Sequence, residues 1–432
     1  MKSLALKIIN WKLGLIAKYT LRRYRPKVIG VTGSVGKTST KGAIYAVLSG
    51  AKIRVRMAGG NLNNETGLPL AIIGDYQKPG GFWFLAGAIW SGFWKLMLPS
   101  GGAKYPEVLI LEYAADHPGD LDYLIKIARP DVAVVTAIGD IPVHSEFYSS
   151  TDEVAKEKAK LVEAVPSDGL VILNADDPRV LGMKNSTGAL VKTFGFNKGA
   201  DLVVDNLENT MEGGALVGIS FSLESSGIKS DVNLTGIVGK PHAYACAAGA
   251  VVGLAHNLSL PDINKWLSSY SGERGRGKII AGANNTTIID ESYNAAPDST
   301  RAALETLIEI PSKRRIAVLG DMLELGGRSE EAHTLVGSLI TNKIGLLITV
   351  GGESRFMNEG AIQKGFNKAN AFHFDSAQEA GDYLKNYLEE GDIVLIKGSQ
   401  SIRMEKMIEK IMLEPANAHR LLVRQYGKWL SA

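Results

Sequence analysis

Lys27-Val-Ile-Gly-Val-Thr-Gly-Ser-Val-Gly-Lys-Thr-Ser-Thr40 joins a buried-strand pattern to a glycine turn and a helix start. Val28, Ile29 and Val31 make a short β-branched apolar run, and Thr38 to Leu48 reads as a helix. Between them Gly33 and Gly36 let the backbone curl with its N–H groups turned inward. A polyphosphate in that curl would lie along Gly33, Ser34, Gly36 and Ser39 and meet the positive end of the helix dipole. Lys37 would reach its terminal phosphates, and the Thr38 hydroxyl is placed to ligate Mg²⁺. The plain alternative is a glycine turn before an amphipathic helix; the nucleotide site accounts for more of the residues.

At 432 residues the chain exceeds one ordinary core and suggests two or three domains. Hydrophobic and charged fractions of 45% and 22% are those of a globular protein in water. The net charge of +3 gives no support to nucleic-acid binding, so any polyanion must be met locally. The lone cysteine, Cys246, excludes an internal disulfide and a cysteine metal cluster, and fits a reducing cytoplasm. Lys7, Lys12 and Lys18 interrupt the N-terminal apolar residues, so no secretory leader is read there and a cytoplasmic chain is expected.

Strand and helix patterns alternate from Tyr105 to Asp177, and again from residue 286 to 413. Such alternation predicts two mostly parallel sheets covered by helices, with ligands beyond the carboxyl ends of the strands. Glu112, Asn174 and Asp177 fall at such ends. Residues 201–238 change to alternating, glycine-broken strands, expected to be antiparallel. Gly272-Glu-Arg-Gly-Arg-Gly277 reads as a hinge. The expected architecture is α/β: a P-loop ATPase domain at 27–273, then a Rossmann-like domain at 274–432.

Two stretches stand apart. Residues 1–26 read as a basic helix with Leu6, Ile9, Leu13 and Ile16 on one face, ended by Pro26. Residues 82–98 are apolar and aromatic, bounded by Pro79 and Pro99, and too short for a simple span of a hydrocarbon core. Both are open to two readings: packing inside the protein, or peripheral contact with an anionic membrane at its inner face through Trp83, Trp90 and Trp94.

The phosphate loop is a variant, with Val31 where the common pattern has glycine. Thr32-Gly-Ser-Val-Gly-Lys-Thr-Ser39 resembles the ATP loop of the Mur ligase family, which builds the peptide stem of the bacterial cell wall. Gly60-Asn-Leu-Asn-Asn-Glu-Thr-Gly-Leu-Pro69 and Leu111-Glu-Tyr-Ala-Ala-Asp-His-Pro-Gly-Asp120 resemble elements of its D-alanyl-D-alanine-adding branch. In the second, Ala114 and Asp116 replace a glycine and an asparagine. Ile289-Asp-Glu-Ser-Tyr-Asn-Ala-Ala-Pro297, Val318-Leu-Gly-Asp-Met-Leu-Glu324 with His333, and Lys397-Gly-Ser399 follow in family order.

The resemblance implies a ligase that uses ATP and Mg²⁺ to make an amide through an acyl phosphate. Its implied substrates are a UDP-N-acetylmuramoyl-tripeptide, or a related muramoyl peptide, and D-alanyl-D-alanine. That branch grips uridine diphosphate with an N-terminal domain, which the 26 residues before the ATP domain do not supply. Lys37, Glu112, His144 and Lys158 are the implied catalytic set; Thr38, Glu112, His144 and a carbamylated Lys158 would hold two metal ions. His144 stands two residues further from Gly139 than the family pattern has it, and Lys156, Lys158 and Lys160 by themselves read as a solvated helix face. Asn174, Asp177, His242, Arg276, Asp290 and Asn294 are the further expected nucleotide contacts, with His242 equally open to a core-facing role. A Mur-type ligase for a folyl or polyamino-acid carboxylate, and a membrane-associated P-loop ATPase without ligase activity, remain alternatives. Oligomeric state is not legible.

Overall fold

The computed structural model describes residues 2–60, 62–97, 105–140 and 147–429. A helix α1 (Lys2–Tyr24) leads into β1 (Lys27–Thr32) and α2 (Lys37–Gly50). β2 (Val55–Met57), α3 (Gly67–Ile73), α4 (Phe82–Met97) and β3 (Val108–Glu112) follow, then α5 (Asp120–Ile127) and β4 (Val132–Val135). α6 (Thr151–Glu163), β5 (Leu170–Asn174), α7 (Pro178–Gly182) and β6 (Leu190–Gly195) extend the alternation. β7 (Leu202–Glu212), β8 (Ala215–Ser225) and β9 (Ile228–Thr235) finish a nine-stranded sheet of order β2-β3-β1-β4-β5-β6-β7-β8-β9.

Strands from β2 to β7 pair in parallel, and β7, β8 and β9 pair antiparallel, as the glycine-broken alternation of residues 201–238 predicts. The central strands are buried on both faces, which is why they read as unbroken Val, Ile and Leu. One face packs on α2, α8 (Lys240–Ala255) and α9 (Leu260–Leu267), with Cys246 wholly buried in α8. The other packs on α1, α3, α5 and α6.

A second sheet begins at β10 (Lys278–Gly282) and β11 (Thr286–Glu291). α10 (Pro297–Glu309), β12 (Arg314–Gly320), α11 (Ser329–Gly337), β13 (Leu346–Val350), α12 (Arg355–Gln363), β14 (Ala371–Phe374), α13 (Ala377–Lys385), β15 (Asp392–Lys397) and α14 (Glu405–Ile411) complete it. The order is β10-β11-β15-β12-β13-β14, parallel except for the β10 edge.

α1 packs on α3, α4 and α5 with Ile9, Leu13 and Ala17 buried, whereas Leu6 is exposed and drops out of the expected stripe. α4 uses only a narrow face, Leu85, Ala88 and Gly92, against α1 and α3, and leaves most of its aromatic side chains in solvent. Leu98 of the expected apolar stretch lies outside the described residues.

Candidate active site

β1 lies between β3 and β4, so the chain changes direction at its carboxyl end and opens a crevice there. The phosphate loop fills this crevice. Gly33 has φ of +144°, and a Cβ there would meet Thr136 Oγ1 at 2.0 Å; Gly36 has φ of +87°. The Thr136 hydroxyl donates to Val35 O at 2.6 Å and the Ser34 N–H to Ala137 O at 2.7 Å, which pins the loop's outer edge to the chain after β4. Lys37 begins α2 and folds back, its ammonium donating to Gly33 O at 2.7 Å and Ser34 O at 3.2 Å. Burial lowers its pKa against the pull of Glu112 and Asp116.

Glu112 ends β3 beside the loop and is almost wholly buried. Its carboxylate accepts from the Thr38 hydroxyl at 3.2 Å and from the Asn63 amide at 3.1 Å, and the Lys41 ammonium lies 3.5 Å away. Burial alone would raise its pKa, but Lys41, Lys37 and the Asn63 hydrogen bond hold it below the usual carboxylate range. Lys41 and Asn63 are absent from the residues expected to form the site. Lys41 stands four positions after Lys37, on the same side of α2, and that spacing is the signal that would have found it. Its ammonium also donates to Ala58 O at 2.7 Å, drawing the loop before Asn63 to the carboxylate.

Of the three lysines on α6, Lys158 alone is buried, 3% exposed; Lys156 is exposed and Lys160 is salt-bridged to Asp122 and Glu157. Burial, reinforced by the neighbouring Lys37 cation, pushes the Lys158 pKa down to about 7, with Asp116, Glu157 and Glu112 opposing. Glu157 fixes this helix by accepting from the N–H groups of Gly119 and Leu121, at 3.0 and 3.1 Å. Asp116 therefore shares its field with Lys37 and Lys158, a role its substitution for asparagine did not suggest. His144 lies outside the described residues.

The second sheet supplies the opposite wall. β11 alternates, so Ile289 and Glu291 line a cavity of about 410 Å³ shared with the phosphate loop, while Asp290 points the other way into the sheet. This corrects the expectation for Asp290. It is fully buried, its Oδ1 accepts from Ser292 N, its Oδ2 has no hydrogen-bond partner, and burial pushes its pKa up to about 6. Glu291 instead pairs with Lys397 at 3.0 Å, and Lys397 also donates to Asn294 O at 3.0 Å. Arg276 crosses between the units: its guanidinium stacks over Tyr293, donates to Thr38 Oγ1 at 3.3 Å, and leaves Nε buried without a hydrogen-bond partner.

A second cavity of about 330 Å³ shares Val35, Gly36, Pro241 and Ala302 with the first and continues toward Asn174, Phe194 and Tyr244. Asn174 closes a turn through Asp176 N. Asp177 is committed to structure: its oxygens accept from the N–H groups of Ile138, Gly139, Arg179 and Val180. His242 is likewise engaged, one ring nitrogen facing Tyr270 OH at 3.1 Å and the other Arg276 O at 2.9 Å. Burial lowers its pKa to about 4, so the ring is neutral, and it borders the phosphate-loop cavity with both nitrogens hydrogen-bonded within the protein. Asp321 and His333 are also scaffolding, satisfied by backbone N–H groups of Glu353, Ser354 and Met322.

The chain matches the Mur ligase middle domain over residues 96–252 and the Mur ligase glutamate ligase domain over 275–400. It is 30% identical over 402 residues to the UDP-N-acetylmuramoyl-tripeptide–D-alanyl-D-alanine ligase of Bacillus subtilis, an alignment spanning 93% of this chain and 79% of that one. The chain belongs to the Mur ligase family.

The MurF ligase of Thermotoga maritima, solved in complex with ADP, shares the family fold with a TM-score of 0.77 at 26% identity, over 93% of this chain and 83% of that one. A folylpolyglutamate synthase of Mycobacterium tuberculosis, also with ADP, shares the fold with a TM-score of 0.66 at 16% identity, over 92% of each chain. The two sheets are thus the P-loop ATPase and Rossmann-like units of a Mur ligase, and the chain is an ATP-dependent peptide ligase.

Proposed function

We propose that this chain adds D-alanyl-D-alanine to a UDP-N-acetylmuramoyl-tripeptide, or a related muramoyl peptide, in peptidoglycan precursor synthesis in the cytoplasm. The observation that carries this reading is one cavity walled on one side by Lys37, Thr38 and Glu112 and on the other by Glu291, Asn294 and Lys397. An ATPase needs the first wall only. A ligase needs both, because the acyl group activated at one must meet an amine held at the other.

In this reading the phosphate loop and Arg276 hold ATP, and the smaller cavity takes its base. A substrate carboxylate oxygen attacks the γ-phosphorus and ADP leaves. The acceptor's ammonium gives up a proton, the resulting amine attacks the acyl carbon, and phosphate departs as a second proton leaves the new amide nitrogen. Lys37 and Arg276 follow the charge that moves onto the phosphoryl oxygens. Glu291, paired with Lys397, receives the acceptor's ammonium end.

The Thr38 hydroxyl and Glu112 carboxylate are adjacent hard oxygens and fit Mg²⁺, which when bound neutralises phosphate charge. Lys158 fits the role of a carbamate: with a pKa near 7 a large share of its amine is neutral, able to attack CO₂ and lose a proton to become an anionic ligand. We also propose division of the chain into 1–26, 27–273 and 274–432; in support, the first sheet ends with β9 and the second opens with β10.

The test is to incubate the full chain with ATP, Mg²⁺, D-alanyl-D-alanine and a UDP-linked or free muramoyl-tripeptide, and to weigh the products. A pentapeptide product is expected. ATP hydrolysis with no amide formed, or glutamate addition to a folyl or polyamino-acid carboxylate instead, would overturn the reading.

A further inference from the structure

α1 and α4 lie side by side on the outside of the first sheet. Gly92 makes the approach close: a Cβ there would meet Ile16 at 2.7 Å and Ile73 at 2.9 Å. The inward sides of both helices are accounted for by this packing. Their outward sides are not. Trp11, Trp83, Trp90 and Trp94 are 61%, 84%, 65% and 42% exposed, four of the six tryptophans in the chain. A groove of about 840 Å³ runs between the helices, walled by Leu15 and Tyr19 on α1 and by Trp90 and Phe93 on α4. Lys12 and Arg22 edge it, and Lys95 is exposed on α4.

A contiguous apolar face of this kind marks an interface. Its charges decide what the partner is. Neither helix contains an aspartate or a glutamate, so the aromatic face is set among cations alone. A second copy docked face to face would bring these cations against their own equivalents with no carboxylate on either helix to receive them. No helix among the described residues is long and apolar enough to cross a membrane. Tryptophans among lysines and arginines on surface helices are the arrangement that sits in the headgroup layer of an anionic bilayer, with rings in the interface and cations at lipid phosphates.

We propose that the α1–α4 face docks on an anionic phospholipid bilayer, with Trp83, Trp90 and Trp94 seated among the headgroups and Lys12, Arg22 and Lys95 against lipid phosphates. The docked face is tied to the reaction centre. Thr66 donates to Asn10 of α1 at 2.8 Å, and Asn63, three residues earlier, donates to Glu112. The docked helix is therefore linked by hydrogen bonds to the loop that holds Glu112.

The experiment is flotation of the full chain with vesicles of phosphatidylcholine alone, or of phosphatidylcholine with phosphatidylglycerol, at low and high salt. Tryptophan emission and light scattering are followed in parallel. We expect binding to the anionic vesicles only, a blue shift on binding, and weakening by salt. The triple change Lys12→Gln, Arg22→Gln, Lys95→Gln should lower partitioning by roughly 100-fold, since each cation contributes about fivefold at such a surface. Trp83→Ala with Trp90→Ala and Trp94→Ala should remove most of the blue shift, and ATP turnover without vesicles reports that both variants fold. Absence of binding to anionic vesicles at low salt, or equal binding to neutral ones, overturns the proposal. So does a concentration-dependent dimer, lost in the tryptophan variant, in a chain that does not float. None of these outcomes depends on which substrates are ligated.

Discussion

The Thr38 hydroxyl donates to Glu112 across 3.2 Å, joining the first turn of α2 to the end of β3. The same carboxylate carries Asn63 on its other oxygen. Loss of Glu112 should therefore uncouple metal-dependent chemistry from nucleotide binding. We expect Glu112→Ala to bind ATP but to lose ligation at every Mg²⁺ concentration, whereas Lys37→Ala should lower ATP turnover itself by roughly 100-fold or more. Turnover in Lys37→Ala within a few-fold of the parent, measured by phosphate release, would remove Lys37 from the reaction.

Burial separates Lys158 from its two neighbours on α6, and the carbamate reading makes that separation measurable. Lys158→Ala should be inactive and regain part of its ligation with added formate or acetate, small carboxylates that supply the missing oxygens. Lys156→Ala and Lys160→Ala should stay active. Ligation by Lys158→Ala without any carboxylate would show that the second metal is held by other groups.

Glu291 and Asp290 are adjacent in sequence and opposite in orientation. Glu291→Gln should raise the KM for D-alanyl-D-alanine about tenfold, the loss of a charge-assisted hydrogen bond, and leave the KM for ATP within about twofold. Asp290→Asn should act on stability and leave both constants close to the parent's. An increased acceptor KM in Asp290→Asn alone would reverse the assignment.

His242 and Asp290 bias the acid stability of the fold in opposite directions. The folded His242 pKa, about 4, lies below the ordinary imidazole value, so the unfolded chain takes up its proton first and this group costs stability as pH falls from about 6.5 to 4. The folded Asp290 pKa, about 6, lies above the ordinary carboxyl value, so the folded chain takes up that proton first and stability is gained as pH falls from about 6 to 4. Together they should nearly cancel. Asp290→Asn should then lose denaturant midpoint on acidification across this window more steeply than the parent, and His242→Gln less steeply. Parallel profiles for all three proteins would contradict both assignments.

The phosphate loop was legible because its chemistry is written in local spacing: glycine where the backbone must curl, lysine and threonine where the helix begins. Glu112 was legible as a carboxylate at the end of an apolar strand. The burial of Lys158 was not legible locally, since three lysines at alternate positions look solvated. Yet Val154, Leu161 and Val162 are buried on the same side of α6 and turn Lys158 inward with them. Asp290 was misread because a motif names residues without saying which side of a strand each faces. β10, β14 and α12 escaped notice because they are short and only partly apolar, with no period long enough to stand out. His242 reads in sequence equally as a nucleotide contact or a core-facing histidine; its hydrogen bonds to residues 28 and 34 positions away exist only once the chain has folded.

Cys246 lies wholly inside α8, and burial pushes its thiol up to where no thiolate forms near neutral pH. The native chain is therefore silent toward maleimides while folded, with no other sulfhydryl to compete. A pair of cysteines introduced on the surface, one on each side of the Gly272–Gly277 hinge, can carry fluorophores without a cysteine-free background having to be built. The distance between the two units then becomes a quantity that can be followed in real time as nucleotide and acceptor arrive.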